Sequence, residues 1–214
     1  MKETDMQRRH FLAAMICSLP LIMTGPGSVL AANGGGASPE SAVEQYHSVL
    51  LKAMKDAKTL GITGRYALID KAAQTAFDFS NMAGRATGKA WRDANDADRA
   101  AMAKAFGHMS VATYAKRFKG WSGQAFKTLG TDPGPRGTTL VKTQIAAPGD
   151  EPVALTYVMN QGKDGDWRII DILLKGTVSE MAVKKSEYAN ILNTKGLSGL
   201  TEALNTQADK LLSQ

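Results

Sequence analysis

The hydrophobic periodicity of the chain changes at Gly120, and no other feature of the sequence constrains the fold as strongly. Before Gly120, apolar residues recur every three or four positions, as they do in amphipathic helices. After it, strand-like segments are separated by short turns rich in glycine, proline and aspartate. Short turns favour antiparallel hairpins, because parallel strands need long crossover connections. The predicted strands are 124–129, 138–147, 153–161 and 167–174.

Helices are predicted on both sides of these strands. Ser38 followed by Pro39 provides an N-cap and a proline in the first turn, and Asn95 provides the N-cap of the strongest helix. Gly120 is expected to end that helix in the left-handed conformation. The other predicted helices run from Ser38 to the glycines at 61 and 64, over 65–77, over 80–87, and from starts near Ser179 and at Ser198.

The last predicted strand, 167–174, carries apolar residues on both faces. Strict alternation places Ile169 on one face and Ile170 and Ile172 on the other. We therefore expect this strand to be central and covered on both sides. The order of helices, strands and helices predicts a single α+β domain over 38–214, with a curved antiparallel sheet of about four strands and helices packed on it.

The first 31 residues are typical of a secretory signal peptide. A charged start precedes an apolar run at 13–23 that is too short to span a bilayer, and small residues end at Ala31. We expect cleavage after Ala31 and a flexible leader over 32–37. Residues 8–12 resemble the twin-arginine export signal, and a general export signal with two ordinary basic residues is the alternative. Either route leads to the periplasm.

Charge and cysteine content agree with an exported chain. The net charge of +6 becomes +5 without residues 1–31, because three basic and two acidic residues leave with them. This mild, dispersed excess suits anionic membrane surfaces or acidic partners, and it equally suits a solvated surface. Cys17 is the single cysteine and lies in the signal segment, so we expect neither a disulfide nor a lipid anchor. We expect a monomer with no stable membrane anchor and no nucleic-acid partner.

Residues that could carry catalysis are scarce. His47 and His108 lie on different predicted helices, and neither has a second histidine or a cysteine near it, so zinc has no ligand set. Asp78, between Phe77 and Phe79, is the most suggestive carboxylate, because a buried acid there could act as a general base. It could also cap the short helix that follows, and we favour this structural role. We therefore expect no enzyme and no cofactor.

Large apolar side chains are more abundant than a small domain requires. They lie on the helical stripes and on the predicted strands, and several of them are methionines. Such stripes more often form an ordinary core than a ligand pocket, and methionine fills gaps in both. The pattern alone therefore predicts an α+β domain with an apolar interior, and it does not distinguish a filled core from a ligand pocket.

A series of motifs adds a resemblance that covers nearly all of the mature chain, in the right order. These motifs are FDFSNMA at 77–83, GKAWR at 88–92, ATYA at 112–115, VALTY at 153–157, WRIID at 167–171, GTVS at 176–179 and LSGL at 197–200. Together they resemble the MlaC-type family of periplasmic lipid-binding proteins, also called toluene tolerance proteins, which are components of an ABC lipid-transport system. The resemblance implies an apolar pocket between the curved sheet and the helices.

Two further segments, 114–123 and 180–188, are similar to the branch of this family that is associated with hopanoid biosynthesis, the HpnM-type proteins. The resemblance to this branch implies that the cargo is a hopanoid, a rigid polycyclic lipid, and the general family implies a phospholipid. Inner-membrane and outer-membrane transporter complexes are the implied partners.

The resemblance also implies where the lipid is held. Lys184 and Lys185 are the candidates for contact with a headgroup or with a partner, although exposed helix lysines would look the same. An enzyme that uses Asp78 as a base and a protein-binding adaptor with a filled core stay open as alternatives. The candidate lipid-binding residues are Phe77, Phe79, Met82, Trp91, Phe106, Met109, Tyr114, Phe118, Leu155, Tyr157, Ile170, Ile172, Leu174 and Val178.

Overall fold

The computed structural model describes residues 38–213, and these residues form helices on both sides of five consecutive strands. The predicted signal peptide, its cleavage site and the leader lie outside the described residues. The helices before the strands are α1 (Pro39–Lys55), α2 (Ala57–Ala76), α3 (Phe79–Thr87), α4 (Lys89–Asp93) and α5 (Asp96–Arg117). The strands are β1 (Ala125–Pro133), β2 (Thr139–Ala146), β3 (Val153–Gln161), β4 (Trp167–Leu174) and β5 (Val178–Ser179), and α6 (Glu180–Leu212) follows them.

The five strands form one antiparallel sheet in the order β1-β2-β3-β4-β5. The α+β class is confirmed, and the four predicted strands are present. β3 and β4 have the predicted bounds, and β1 continues four residues beyond the predicted end. The two-residue strand β5 was not predicted, because two residues show no periodicity.

Strand β4 is paired along both of its edges. On one side it pairs with β3, and on the other it pairs with β5 and makes an isolated bridge between Ile169 and Phe77. Its register jumps from Ile169 opposite Met159 to Asp171 opposite Val158, so Ile170 is the extra residue of a β-bulge. The bulge resets the alternation, and the prediction that Ile170 and Ile172 share a face is wrong.

Two glycines break the helical backbone inside α2 and α6, so each of these elements consists of two helical arms joined at a kink. Gly61 within α2 has φ 59° and ψ −173°, and Gly196 within α6 has φ 66° and ψ −167°. Only glycine adopts such angles at low cost. The first predicted helix is divided at Asp56, where α1 ends, and the helical break predicted at Gly61 is present within α2. The two predicted closing helices are the two arms of α6, which meet at Gly196.

A buried arginine compensates for the interruption at Gly61. Nε of Arg65 donates to the backbone oxygen of Ala115 in α5, and Nη1 donates to the backbone oxygen of Ala57, each at 2.9 Å. Arg65 is 7% exposed. Carbonyls near a helix break lose their usual partners, so this side chain satisfies one of them and joins α2 to α5.

The longest uninterrupted helix, α5, begins as predicted and ends earlier than predicted. The side chain of Asn95 accepts a hydrogen bond from the backbone N–H of Asp98 at 2.9 Å, which confirms the N-cap. The helix ends at Arg117 with Phe118 as the C-cap, and Gly120 does not adopt a positive φ. The expected left-handed stop at Gly120 is therefore wrong.

The main core lies between the helices and the sheet. Fully or almost fully buried side chains come from α1, α2, α5 and β4; examples are Tyr46, Ile69, Met102 and Ile169. Within residues 38–213, no helix is both long enough and apolar enough to cross a bilayer.

Candidate functional site

An apolar pocket of about 300 Å³ lies between the sheet and the helices α3, α5 and α6. Its lining residues are Leu50, Phe77, Phe79, Met82, Phe106, Met109, Ser110, Thr113, Tyr114, Arg117, Phe118, Phe126, Ile145, Leu155, Tyr157, Ile172, Leu174, Glu180, Met181, Lys184 and Tyr188. Most of these side chains are apolar or aromatic, which is the usual lining of a small-molecule site.

One face of α5 supplies a continuous strip of the pocket wall. Phe106, Met109 and Thr113 are three to four residues apart along the helix and therefore lie on one side of it, and Ser110 and Tyr114, four residues apart, form a second row beside them. Gly107 permits this wall to close, because a Cβ at this position would lie 3.0 Å from the ring of Phe79. The close approach of Phe79 explains a glycine in the interior of a helix, where it otherwise lowers stability.

The sheet forms the opposite wall, and its alternation selects the lining residues. Leu155 and Tyr157 of β3 are opposite Leu174 and Ile172 of β4 in the antiparallel register. Residues two apart on a strand point to the same face, so all four side chains enter the pocket together. The sequence pattern VALTY contains this alternation and allowed both β3 residues to be identified as candidates.

Aromatic stacking stiffens two parts of the wall. The rings of Phe77 and Phe79 are stacked with centroids 5.4 Å apart, and those of Tyr114 and Phe118 are stacked at 5.8 Å. Offset stacks of this kind stabilise a packed cluster beyond the burial of their surface. The methionines at 82, 109 and 181 are the adaptable side chains between these rigid parts.

Charged side chains are confined to the part of the wall where α5 ends and α6 begins. Arg117, Glu180 and Lys184 line the pocket there, and we call this part the charged entrance. Nζ of Lys184 lies 2.7 Å from a carboxylate oxygen of Glu187 and 6.0 Å from the ring centre of Tyr188. The charged entrance therefore carries both signs of charge around an apolar interior.

A buried carboxylate fixes the start of α6 above the pocket. Asp171 of β4, 7% exposed, accepts a hydrogen bond from the hydroxyl of Ser179 at 2.6 Å and from the backbone N–H of Met181 at 3.2 Å. The side chain of Ser179 in turn accepts from the N–H of Ala182. Negative charge at a helix N-terminus is favourable, so Asp171 positions the helix that carries Lys184.

A second buried polar contact lies on the side of the pocket next to α1. Nε2 of His47 is 2.8 Å from the hydroxyl oxygen of Tyr157, and the imidazole is stacked on Phe126 with centroids 3.9 Å apart. Burial lowers the pKa of His47 to about 4, because the charged imidazolium loses its hydration. The histidine is therefore neutral at neutral pH. Its partner lies 110 residues away, so no sequence pattern pointed to the pair.

Comparisons with known proteins agree with this architecture. Residues 44–206 match the model of the family described as MlaC protein. The chain belongs to the MlaC family. Its structure is similar to that of the phospholipid-binding protein from Ralstonia solanacearum, which was solved in complex with a phospholipid. The TM-score is 0.70 and the sequence identity is 21%, with 82% of this chain and 99% of that chain covered. At this identity the likeness shows a shared fold.

In this MlaC-family chain, most of the candidate lipid-binding residues lie on the pocket wall. The structure brings together Phe77, Phe79, Met82, Phe106, Met109, Tyr114, Phe118, Leu155, Tyr157, Ile172 and Leu174, with Lys184 at the charged entrance. Their contact with a lipid stays a prediction. The helical spacing and the strand alternation selected them, while the family motifs indicated that they enclose a pocket.

Four other candidates lie away from the pocket. Trp91 packs against Gly84 beside α3, Ile170 is buried at the bulge of β4, and Val178 is 48% exposed on β5. Lys185 extends towards Gly88 at the junction of α3 and α4. Its neighbour Lys184 points into the charged entrance, because adjacent residues on a helix do not share a face.

Several lining residues of this MlaC-family pocket were not identified from the sequence. Leu50 lies in the first predicted helix and Phe126 in the first predicted strand, and neither was named as a candidate. Met181, Lys184 and Tyr188 recur along α6 at helical spacing, and this stripe could have identified the two missed residues. The remaining missed residues are Ser110, Thr113, Arg117, Ile145 and Glu180.

Asp78 has the structural role that we favoured. Its side chain accepts a hydrogen bond from the backbone N–H of Asn81 at 2.9 Å and so caps α3, and its own N–H donates to the backbone oxygen of Ile169 at 3.0 Å. The carboxylate is not among the groups that line the pocket. Within residues 38–213, no cluster of histidine, cysteine, aspartate and glutamate could hold a metal ion.

Proposed function

We propose that this protein is a periplasmic lipid carrier that holds the apolar part of one lipid in the pocket and the polar headgroup at the charged entrance. The observation that carries the proposal is the segregation of the lining, because apolar and aromatic side chains form the walls and charges are confined to one part. Membership of the MlaC family and the phospholipid bound to the protein from Ralstonia solanacearum support it.

The binding energy of such a carrier comes from burial of the lipid chain. Each buried CH₂ group contributes about 0.8 kcal/mol, so one long acyl chain contributes on the order of 10 kcal/mol before the costs of association. Extraction of a lipid from water therefore needs a dry cavity and no catalytic group. This argument supports a non-catalytic function for the site.

The size of the pocket indicates that it widens when a lipid binds. A volume of about 300 Å³ is at the lower end of the range of small-molecule pockets, which extends to roughly 1,000 Å³. Met82, Met109 and Met181 separate the stacked aromatic groups in the wall, and their flexible side chains can take new rotamers without breaking a hydrogen bond. In this proposal the methionines move apart to admit a second chain or a polycyclic skeleton.

The two lysines of α6 have different roles in the proposal. Lys184 and Arg117 at the charged entrance attract the phosphate of a phospholipid or another anionic headgroup. Lys185, which extends away from the pocket, contacts a partner instead. The partners are inner-membrane and outer-membrane complexes of an ABC lipid-transport system, between which the monomeric carrier shuttles and so helps to maintain the outer membrane.

The chemistry of the cargo is the finer part of the proposal. The bound phospholipid of the similar structure favours a phospholipid, and the resemblance of segments 114–123 and 180–188 to the hopanoid-associated branch favours a hopanoid. Of the alternatives, an enzyme based on Asp78 loses its base to the capping hydrogen bond. An adaptor with a filled core does not fit a chain with a cavity.

Native mass spectrometry of the purified mature protein, followed by lipid extraction, tests the proposal. We expect one lipid for each protein, identified as a phospholipid or a hopanoid, and transfer of that lipid from donor to acceptor vesicles. A protein that is purified without bound lipid, and that binds neither phospholipids nor hopanoids when they are supplied, would contradict the carrier function.

A further inference from the structure

The wall of the pocket next to α1 contains hydroxyl groups as well as apolar atoms. Tyr114 and Tyr157 line the pocket, and the hydroxyl of Tyr157 is 2.8 Å from Nε2 of His47. Tyr46 lies behind them, with its ring edge-on to that of Tyr114 at a centroid distance of 6.1 Å. Tyr46, His47 and Tyr157 are at most 3% exposed. We refer to these four residues as the phenol cluster.

The phenol cluster has more hydrogen-bonding capacity than residues 38–213 use. The hydroxyl of Tyr46 is buried and has no hydrogen-bond partner among these residues. The hydroxyl of Tyr114 makes no hydrogen bond to them either, and Tyr157 bonds only to His47. Buried hydroxyl groups are nearly always paired, because an unpaired one loses its hydration without compensation. An apolar pocket for plain hydrocarbon would gain stability from phenylalanine at positions 46 and 114.

The phenol cluster is electrically neutral at physiological pH. Burial raises the pKa of Tyr114 to about 12, raises the pKa of Tyr46 and Tyr157 well above the ordinary value, and lowers the pKa of His47 to about 4. The cluster itself therefore offers no positive charge to a phosphate, unlike Arg117 and Lys184 at the charged entrance. It can bind an uncharged oxygen, because a neutral histidine can either donate to Tyr157 or accept from it.

We propose that the phenol cluster is a hydrogen-bonding site for an uncharged oxygen of the bound lipid, either an ester carbonyl or a hydroxyl. This inference rests on the proposed function and adds to it a second point of recognition, distinct from the charged entrance. Tyr114 and Tyr157 make the contact, while Tyr46 and His47 support them from behind. Lipids that carry an oxygen within the apolar part are selected over pure hydrocarbons of the same shape.

Matched lipid pairs test this site. One pair is a dioleoyl phosphatidylglycerol with ester linkages and its diether analogue, which lacks the carbonyl oxygens. The other pair is a pentacyclic triterpene alcohol and its parent hydrocarbon. Equimolar competition, read by native mass spectrometry, should show that the wild type prefers the oxygen-bearing member of one pair by about five- to tenfold, which is the usual effect of one hydrogen bond. The pair that shows the preference identifies the source of the oxygen.

Two variants separate the site from general effects on the fold. Tyr114→Phe removes one hydroxyl without removing a hydrogen bond to a described residue, and it should lower the preference by about fivefold. Tyr157→Phe is the second variant on the same wall and should act in the same direction. The matched control is Tyr66→Phe, which removes a tyrosine hydroxyl that bonds to His108 outside the pocket and should leave the preference unchanged.

The outcomes distinguish the two proposals. Equal binding of both members in both pairs by the wild type overturns the phenol-cluster site and leaves the carrier function standing. A preference that persists in folded Tyr114→Phe and Tyr157→Phe, as judged by circular dichroism, overturns the site as well. A wild-type protein that binds none of the four lipids overturns the carrier function itself.

Discussion

Helix α5 has two sides that differ in how tightly they are packed. On the packed side, Ala105, Val111 and Ala112 have no solvent exposure. On the pocket side, Met109 and Thr113 lie on the wall of a cavity. Because both sides belong to one helix, local sequence preferences cannot explain the difference. Stability resides mainly on the packed side, and the proposed lipid binding resides on the other.

A relay of hydrogen bonds reinforces the helical layer around α5. The hydroxyl of Tyr66 in α2 is 2.7 Å from Nδ1 of His108 in α5, and Nε2 of His108 is 3.0 Å from a carboxylate oxygen of Asp209 in α6. Three helices are thereby joined through one imidazole. His47 has a tyrosine partner and an aromatic neighbour instead, without a carboxylate among its hydrogen bonds. The relay suits a fixed framework, and the phenol cluster suits a site that receives a ligand.

Adjacent tryptophan substitutions give the largest expected contrast between the two sides. Ala112→Trp inserts a large ring where no space exists, and it should lower the free energy of unfolding by about 4 kcal/mol or more. Thr113→Trp places the same ring in the cavity and should change the stability by less than about 1 kcal/mol. Denaturant unfolding of the lipid-free proteins measures both. Equal losses would show that the cavity is not available to side chains.

Methionine truncation sharpens the same contrast. Met102, two turns before Met109 on the same stripe of α5, has no solvent exposure and does not line the pocket. Met102→Ala should lower the free energy of unfolding by about 2–5 kcal/mol, because it leaves a cavity in a dense region. Met109→Ala enlarges a cavity that already exists, so we expect less than half of that loss. Urea titrations of the two variants at one pH provide the comparison. A larger loss for Met109→Ala would contradict the assignment of Met102 to dense packing and of Met109 to the cavity wall.

Acid should weaken the fold through His47. The pKa of His47 is about 4 in the folded protein, while histidine in an unfolded chain has its ordinary value of 6.5. The unfolded chain therefore takes up a proton first as the pH falls. The stabilisation is complete above pH 6.5 and is lost between pH 6.5 and 4, with a total of about 3 kcal/mol. A plot of the free energy of unfolding against pH should be flatter across this window in His47→Phe than in the wild type. The plot for His108→Gln should keep the slope of the wild type, because this variant leaves His47 in place.

The charged entrance should give the smallest effect. Lys184→Ala removes a half-buried charge that already pairs with Glu187, so the affinity for an anionic lipid should fall by only about two- to fivefold, and added salt should reduce the difference. Lys210→Ala on the same helix is the matched control, because this lysine is remote from the pocket lining. Vesicle competition with an anionic and a zwitterionic phospholipid measures the change. An equal loss for both lipids would argue against a headgroup contact.

The sequence predicted most of the fold because each element has a local signal. The alternation of apolar residues fixed β3, and Asn95 marked the start of α5. The bulge at Ile170 depends on its partner strand, so it was not predictable from β4 alone. The early end of α5 has no clear sequence signal, because Gly120 follows two residues after the C-cap and suggested a different end.

The candidate site was predictable only in part, for a different reason. A stripe such as Phe106 and Met109 has the same spacing whether it faces a core or a cavity, so the pocket had to be inferred from the family motifs. The pairing of His47 with Tyr157 joins α1 to β3 across most of the chain. Asp171 likewise reaches the start of α6 only after the sheet has formed. These contacts depend on tertiary structure.

The central claim is that the pocket side of α5 holds the lipid, and the lipid content of Thr113→Trp tests it most directly. Wild type, Thr113→Trp and Tyr66→Phe are purified in parallel from the same compartment and examined by native mass spectrometry. We predict one bound lipid in the wild type and in Tyr66→Phe, and none in a folded Thr113→Trp protein. Equal lipid content in all three proteins would contradict the account, because the ring at position 113 occupies the space that the lipid requires.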